Sequence, residues 1–510
     1  MRAARVPQAA PRLASTEVAA REENHMTEPT SGTVIAAPPA ARLEPDAIGV
    51  AQDTVIGMAS AAPTVSVGLT LAALAATAAY GGGPIIVLCG IPMLIIANAY
   101  RRLNLWNANC GASFEWVGRS INPYLGFMTG WLMIAAYITG AVSGVEVLGP
   151  SVLAVFGVNT SSNWDYIGIA VAVTLIMLVI AIIGIKITAR TQVGIAAIEY
   201  AILIGFAIVG LTFVLNHHAG TYPITRDWFS LTGIGGHGSV AVGLISAVYI
   251  YSGWEGTVYV NEEVKHRHTN PGRAAIIAVS LLIVIYTFAQ MGLQGVVSPG
   301  KLQQAGSNGD ALVYVANAIG GGGWAKVMAL ALALSVIAAT GTSIVLTARI
   351  IYGMASYRTL PDFLANVSRR FATPVAASVL TGILVIVITV VYLAASSVES
   401  AFDDVVGLSG QLFAAFYILT ALATIVYYRR RVISSVWNAI VLGILPLAAA
   451  GFLVWVLFKF LQGASSPSLY SILGIVVVGL VLMVVARWLL RSSFFAIPRE
   501  SDPGQPARKH

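Results

Sequence analysis

An acid that follows a helix-breaking pair, inside an apolar stretch, marks where this chain can do chemistry. Residues 249–273 read YIYSGWEGTVYVNEEVKHRHTNPGR. They begin within an apolar segment, about 239–260, that Ser252-Gly253 interrupts and Glu255 follows at once. Glycine weakens a helix, and an unpaired acid at the centre of a bilayer costs about 2.5–3.5 kcal/mol or more. Both are tolerated where broken backbone lines a buried polar site. A second break is predicted in the stretch Ser60-Ala61-Ala62-Pro63-Thr64, because proline lacks an amide donor and clashes with the preceding turn. Breaking a helix there leaves free N–H groups on its second half, with partial positive charge suited to a carboxylate. Free carbonyls around Tyr249 to Ser252 suit an ammonium. Tyr251 and Trp254 are candidate gates or side-chain platforms, and Trp can also hold a cation on its ring face. Packing is the ordinary role of such aromatics.

The remaining deep ionisable groups are acids. No histidine falls within an apolar segment; His217, His218, His237, His266 and His268 lie in loops or at ends. Glu199 stands nine residues after Arg190, roughly 13 Å at 1.5 Å per residue, which is near mid-membrane. A carboxyl at that depth can take up and release a proton, so Glu199 and Glu255 are the proton-coupling candidates; a hydrogen-bonded structural acid is the alternative for each. Glu146 lies nearer one face, and Asp53, nearer the other, is expected to pair with a basic residue as part of a gate. Thr340, Thr342 and Ser343 offer hydroxyls to an ion or a substrate, although small hydroxyl residues also let helices pack closely.

The elements that position these groups are membrane spans. Hydrophobic residues make up 57% of the chain and charged residues 10%, too few charges to coat a soluble surface. Apolar runs of about 20 residues recur, each enough for a bilayer core of roughly 30 Å. Twelve spans are predicted, at about 49–79, 84–103, 123–149, 166–186, 193–215, 239–260, 274–295, 323–350, 374–394, 402–428, 433–458 and 469–490. With the N-terminus inside, only Arg226, Lys301, Lys326 and Lys459 of the 29 Lys and Arg fall in outside segments, so both termini are expected to face the cytoplasm. That placement reads the net charge of +7 as a topology signal, not as a nucleic-acid surface. Cys89 and Cys110 suggest neither a disulfide framework nor a metal site. Residues 1–47 read as a disordered tail and 491–510 as a second tail. The loop at about 296–322 is either a plain connector or a pair of short helices over one mouth.

Breaks in spans one and six, five spans apart and in opposite orientation, are what an inverted repeat produces. The first repeat is then 48–215 and the second 216–428, with two extra spans within 429–490.

Four motifs, in order and at the right spans, carry a resemblance. Residues 109–131 read NCGASFEWVGRSINPYLGFMTGW, residues 184–192 GIKITARTQ, residues 261–274 NEEVKHRHTNPGRA and residues 348–374 ARIIYGMASYRTLPDFLANVSRRFATP. Over about residues 45–490 the chain resembles the amino acid–polyamine–organocation superfamily of permeases. The resemblance implies an all-α integral membrane protein of the leucine-transporter type, five plus five inverted repeats and two extra helices. It also implies uptake or exchange of amino acids or related amines. Two departures stand out. Some proton-coupled members carry a lysine in the fifth span, where this chain has Glu199. The first span reads MASAAPTVS in place of a Gly-rich run.

The expected function is therefore a secondary permease of the cytoplasmic membrane, importing an amino acid with a proton by alternating access. The substrate would sit between the breaks, against Ser60, Ala61, Ala62, Pro63 and Thr64 on one side and Tyr251, Ser252, Gly253, Trp254 and Glu255 on the other. The rival within the class carries an amine or polyamine, with Glu255 taking the charge. A permease-like sensor is the rival outside it. HExxH, P-loop and GxSxG motifs are missing from the sequence, so no enzyme and no cofactor is expected.

Overall fold

The computed structural model describes residues 42–158, 162–231, 243–245, 247–307, 311–395 and 398–502. Among them, eleven helices are long and apolar enough to cross a membrane, from Val50–Ala78 to Ser466–Leu489. Local sequence explains their ends. Asn122 accepts a hydrogen bond from the Tyr124 amide at 2.8 Å, and Pro123 follows, so the 34-residue helix Pro123–Phe156 starts there. It stops at Gly157, in the left-handed region at φ 71°. Gly184, at φ 141°, divides Asn163–Ile183 from Ile185–Leu215.

The first span is two helices, Val50–Ser60 and Pro63–Ala78, joined through Ala62 in the left-handed conformation at φ 43°. Pro63 opens the second half, where its missing amide is no loss. The segment after residue 247 is interrupted more severely. A short turn, Tyr249–Tyr251, gives way to extended Ser252 and to Gly253 at φ 106°, and helix resumes for Gly256–Tyr259 alone. This segment is not among the eleven long helices. Residues 239–242 and 246 of the predicted sixth span lie outside the described residues.

The two longest helices, Pro123–Phe156 and Gly322–Ala355, pack along each other; a Cβ on Gly144 would stand 3.0 Å from Val336. Small residues are what allow such close approach. Within the 296–322 loop, Pro299–Ser307 and Ala311–Gly320 are helical and lie on Pro63–Ala78, with Gly306 against Ala72 and Gly68 against Leu312.

The end of the bundle that carries the described chain termini is tightly tied. Leu43 is buried, so packed chain begins a few residues before the predicted end of the tail. Ile48 forms a parallel bridge with Val264, through Ile48 N–H to the Glu263 carbonyl at 3.1 Å and Lys265 N–H to the Ile48 carbonyl at 2.9 Å. The stretch after Arg491 is packed as far as Asp502. Phe494 stacks on Phe114 at 4.0 Å, Glu500 pairs with Arg119 at 2.7 Å, and Asp502 pairs with Arg431.

Candidate functional site: a cavity between two broken helices

The two breaks face each other. A Cβ on Gly253 would lie 2.7 Å from the Ser60 carbonyl oxygen, and one on Gly57 would lie 2.8 Å from the Trp254 carbonyl. Glycine at both positions is what lets the two interrupted segments touch. Beside this contact is a cavity of about 60 Å³, lined from the first break by Ser60, Ala61, Ala62 and Val65, and from the second by Tyr249 and Ser252. Tyr137, Gly140, Ser143 and Gly144 contribute one wall, Val336, Ala339 and Ser343 another, and Ser409 and Phe413 close it. On this measure a water needs about 10–15 Å³, so the space matches a handful of heavy atoms. Its polar groups are hydroxyls, and no carboxylate, ammonium, guanidinium or imidazole lines it among the described residues. Ser66, Ser143 and Ser409 spend their protons on the carbonyls of Ala61, Gly140 and Ala136. The Ser60 hydroxyl is buried beside Tyr137, with no hydrogen-bond partner within normal geometry.

Two acids hold the breaks, and neither lines the cavity. Glu255 is fully buried. Its Oε1 accepts from the Tyr137 hydroxyl at 2.6 Å; its Oε2 accepts from the Gly253 amide at 3.1 Å and from the Tyr417 hydroxyl. The side chain thus supplies an acceptor for an amide that the break strips of its helical partner. Glu199, also fully buried, reaches from Ile185–Leu215 to the start of Pro63–Ala78. Its Oε1 accepts from the Thr64 amide at 3.0 Å and from the Thr64 hydroxyl at 2.9 Å, while Oε2 has no partner. A carboxylate there sits at the positive end of the helix dipole.

Other sequence candidates fall elsewhere. Tyr251 is turned away from the cavity, its hydroxyl donating to the Ile86 carbonyl at 2.9 Å. Trp254 is buried against Tyr417 and Tyr100, with ring centroids 5.5 and 5.3 Å away. Thr342 donates back to the carbonyls of its own helix, and Thr340 is buried without a partner; of that trio only Ser343 reaches the cavity. The Glu146 side chain lies outside the described residues. Asp53 corrects an expectation: among the described residues it pairs with no base, and both of its oxygens are buried without partners. The base at that depth, Arg349, is taken by Glu263 in a fully buried bidentate pair, at 2.8 Å from Nε and 3.0 Å from Nη2.

Sequence reasoning missed Tyr137, Gly140, Ser143, Gly144 and Ser409. A signal existed for the first four: they recur three and four apart, on one face of a helix. It also used the run Asn261-Glu262-Glu263 only as a motif, although each residue is an anchor. Asn261 donates to Asn104 Oδ1 at 2.9 Å and to the Asn109 carbonyl at 3.0 Å. Glu262 accepts from the Cys110 amide at 3.1 Å, and Glu263 holds Arg349. Burial pushes the Glu262 carboxyl above the ordinary carboxylate range.

A broken first span that touches a second break beside a buried cavity is accompanied by a family match. The model of the family described as amino acid permease covers residues 52–481. The chain belongs to that family. Among other permeases and transporters, it is 23% identical over 324 residues to the methylthioribose transporter of Bacillus subtilis, covering 60% of this chain and 67% of that one. It is 28% identical over 144 residues to the human large neutral amino acids transporter small subunit 2, covering 28% of this chain and 26% of the relative. It is 23% identical over 341 residues to an arginine/ornithine antiporter of Lactococcus lactis, covering 62% and 63%. The chain is thus a multi-pass membrane permease by family, and its relatives are transporters, not enzymes.

Proposed function

We propose that this permease imports a small α-amino acid with an uncharged side chain across the cytoplasmic membrane, by alternating access and together with a proton. The observation that carries this reading is the cavity at the two breaks: it is small, hydroxyl-lined and free of charged side chains. Break backbone and Ser60 would take the substrate's carboxylate and ammonium groups, so no lining side chain needs a charge. Gly140 and Gly144 keep the opposite wall back. An amine or polyamine fits less well. Glu255, the acid assigned to it, is filled by two phenols and an amide, outside the cavity.

Glu199 is the proton carrier in this reading. Its carboxyl is bonded to Thr64, two residues beyond the cavity-lining Ala62. Gaining a proton weakens its hold on the Thr64 amide and loosens the start of the second half-helix, which ties proton occupancy to the shape of the substrate site. The eleven long helices and the interrupted segment at 247–259 support twelve spans with a five-plus-five repeat, and loop charge supports cytoplasmic termini.

The test is uptake into proteoliposomes under an imposed inward proton gradient, with a labelled panel of amino acids beside putrescine and similar amines. Gradient-driven accumulation of small neutral amino acids is expected; accumulation of amines alone refutes the reading. Glu199→Gln should abolish gradient-driven accumulation and leave exchange partly intact, and unchanged pH dependence in that variant removes Glu199 from the mechanism. The antiporter among the relatives favours a second reading, exchange of internal for external substrate. That reading calls for uptake that needs internal substrate and ignores the proton gradient.

A further inference from the structure

Asp53 is fully buried in the Val50–Ser60 helix with no partner for either carboxylate oxygen, and the neighbouring Thr54 hydroxyl is buried and unpaired too. Register fixes its depth. Gly57 is pressed on Thr257 and the Trp254 carbonyl; Asp53, four residues earlier, is on the same face and about 6 Å nearer the terminal end of the bundle. On the far side of Asp53 from Gly57, Ile48 is bridged to Val264. Leu346 packs on Gly256, and Arg349 lies three residues beyond it, about 4.5 Å deeper in the same direction. Asp53 therefore stands in the layer of the buried Arg349–Glu263 pair.

The elements packed on Val50–Ser60 carry other titratable groups; their acids and bases are engaged or exposed, while the Tyr200 and Tyr259 hydroxyls are buried without a partner. On Ile185–Leu215, Glu199 holds Thr64, Lys186 pairs with Glu44, Arg190 is exposed and the Tyr200 hydroxyl is buried. On Asn270–Leu293, Arg273 is exposed and the Tyr286 hydroxyl donates to the Ala61 carbonyl at 3.4 Å. On Gly322–Ala355, Arg349 is held by Glu263 and Tyr352 is half-buried, and after Gly256–Tyr259, Glu262 accepts from the Cys110 amide. The Tyr259 hydroxyl is buried and unpaired. Among the described residues no base pairs with Asp53.

An ionised Asp53 in this layer would be an uncompensated buried charge, so the closed arrangement holds it as the neutral acid. Parting the layer admits water and lets it ionise. Once charged, it can return only by taking up a proton, because Arg349, the base of this layer, is already held by Glu263. On the transport reading above, with this end cytoplasmic, we infer that Asp53 is a proton-binding site at the cytoplasmic gate. Closing the gate places one proton on its carboxylate, and opening releases that proton to the cytoplasm. A more alkaline cytoplasm holds the gate open, and a more acidic one closes it.

Cys110 reports the gate without any transport measurement. It is buried in the closed arrangement, and its amide is bonded to Glu262. Its alkylation by a membrane-impermeant maleimide is followed in inside-out vesicles, in a Cys89→Ala background, at about pH 6 and about pH 8. Dividing by the rate for Asp53→Asn at the same pH cancels the thiol's own titration. That ratio should rise roughly tenfold or more between the two pH values, since one linked proton can shift the gate by up to about tenfold per pH unit. Asp53→Glu should keep the rise, and Asp53→Thr serves as the reference if the Asn variant does not fold. A ratio unchanged with pH overturns the inference. A pH-dependent ratio without any substrate uptake would refute the transport reading and leave this site standing.

Discussion

Removing either partner of the Arg349–Glu263 pair should destabilise the protein far more than removing both. The pair is bidentate, at 2.8 and 3.0 Å, and neither side chain is exposed. Arg349 has one further bond, from Nη1 to the Val345 carbonyl at 3.3 Å. Glu263→Gln leaves a buried guanidinium without its countercharge, and Arg349→Met leaves a buried carboxylate without its own. Either should cost about 3–5 kcal/mol. The double variant Arg349→Met/Glu263→Leu removes both charges and fills the volume with apolar atoms, so it should be within about 1 kcal/mol of the parent or more stable. The cycle then gives a coupling energy of several kcal/mol. Reversible unfolding in a mixture of detergent and SDS measures all four proteins. Single variants that lose under about 1 kcal/mol, as an exposed pair would, refute the argument. So does a double variant whose loss equals the sum of the singles.

Gly253→Ala forces a side chain into a left-handed conformation, worth about 1–2 kcal/mol, and presses its Cβ on the Ser60 carbonyl 2.7 Å away. Substrate binding followed by tryptophan fluorescence should weaken at least about tenfold; unchanged affinity would mean that the breaks need not touch. Phe494→Ala empties a fully buried site stacked on Phe114, and should lower stability in the same unfolding assay by about 3–5 kcal/mol. A loss below about 1 kcal/mol would show that the C-terminal stretch is not part of the core.

Much of the membrane architecture was legible from periodicity and apolar length, because each span meets the same local requirement for backbone hydrogen bonding in lipid. The interruption at Ser60 to Pro63 was legible for a chemical reason: proline cannot continue the ladder. Glu199 and Glu255 stood out because an acid in an apolar run demands an explanation. What could not be read was which donors answer them. Thr64 lies 135 residues from Glu199 in sequence, and Tyr417 lies 162 from Glu255. Tyr251 and Trp254 sit next to the same break as Ser252, yet they project into packed aromatic clusters while Ser252 reaches the cavity.

Taken alone, the sequence determined what depends on neighbours along the chain: apolar spans, their interruptions and the rarity of deep charge. The tertiary structure decided what depends on how helices come together. It gave Arg349 to Glu263 and left Asp53 unpaired, although both acids are within reach of an inner base by sequence position. It also built the cavity from a stripe of small residues that local pattern cannot distinguish from ordinary helix packing. Side-chain pairing across helices depends on azimuth and depth together, and no span encodes either for its partner.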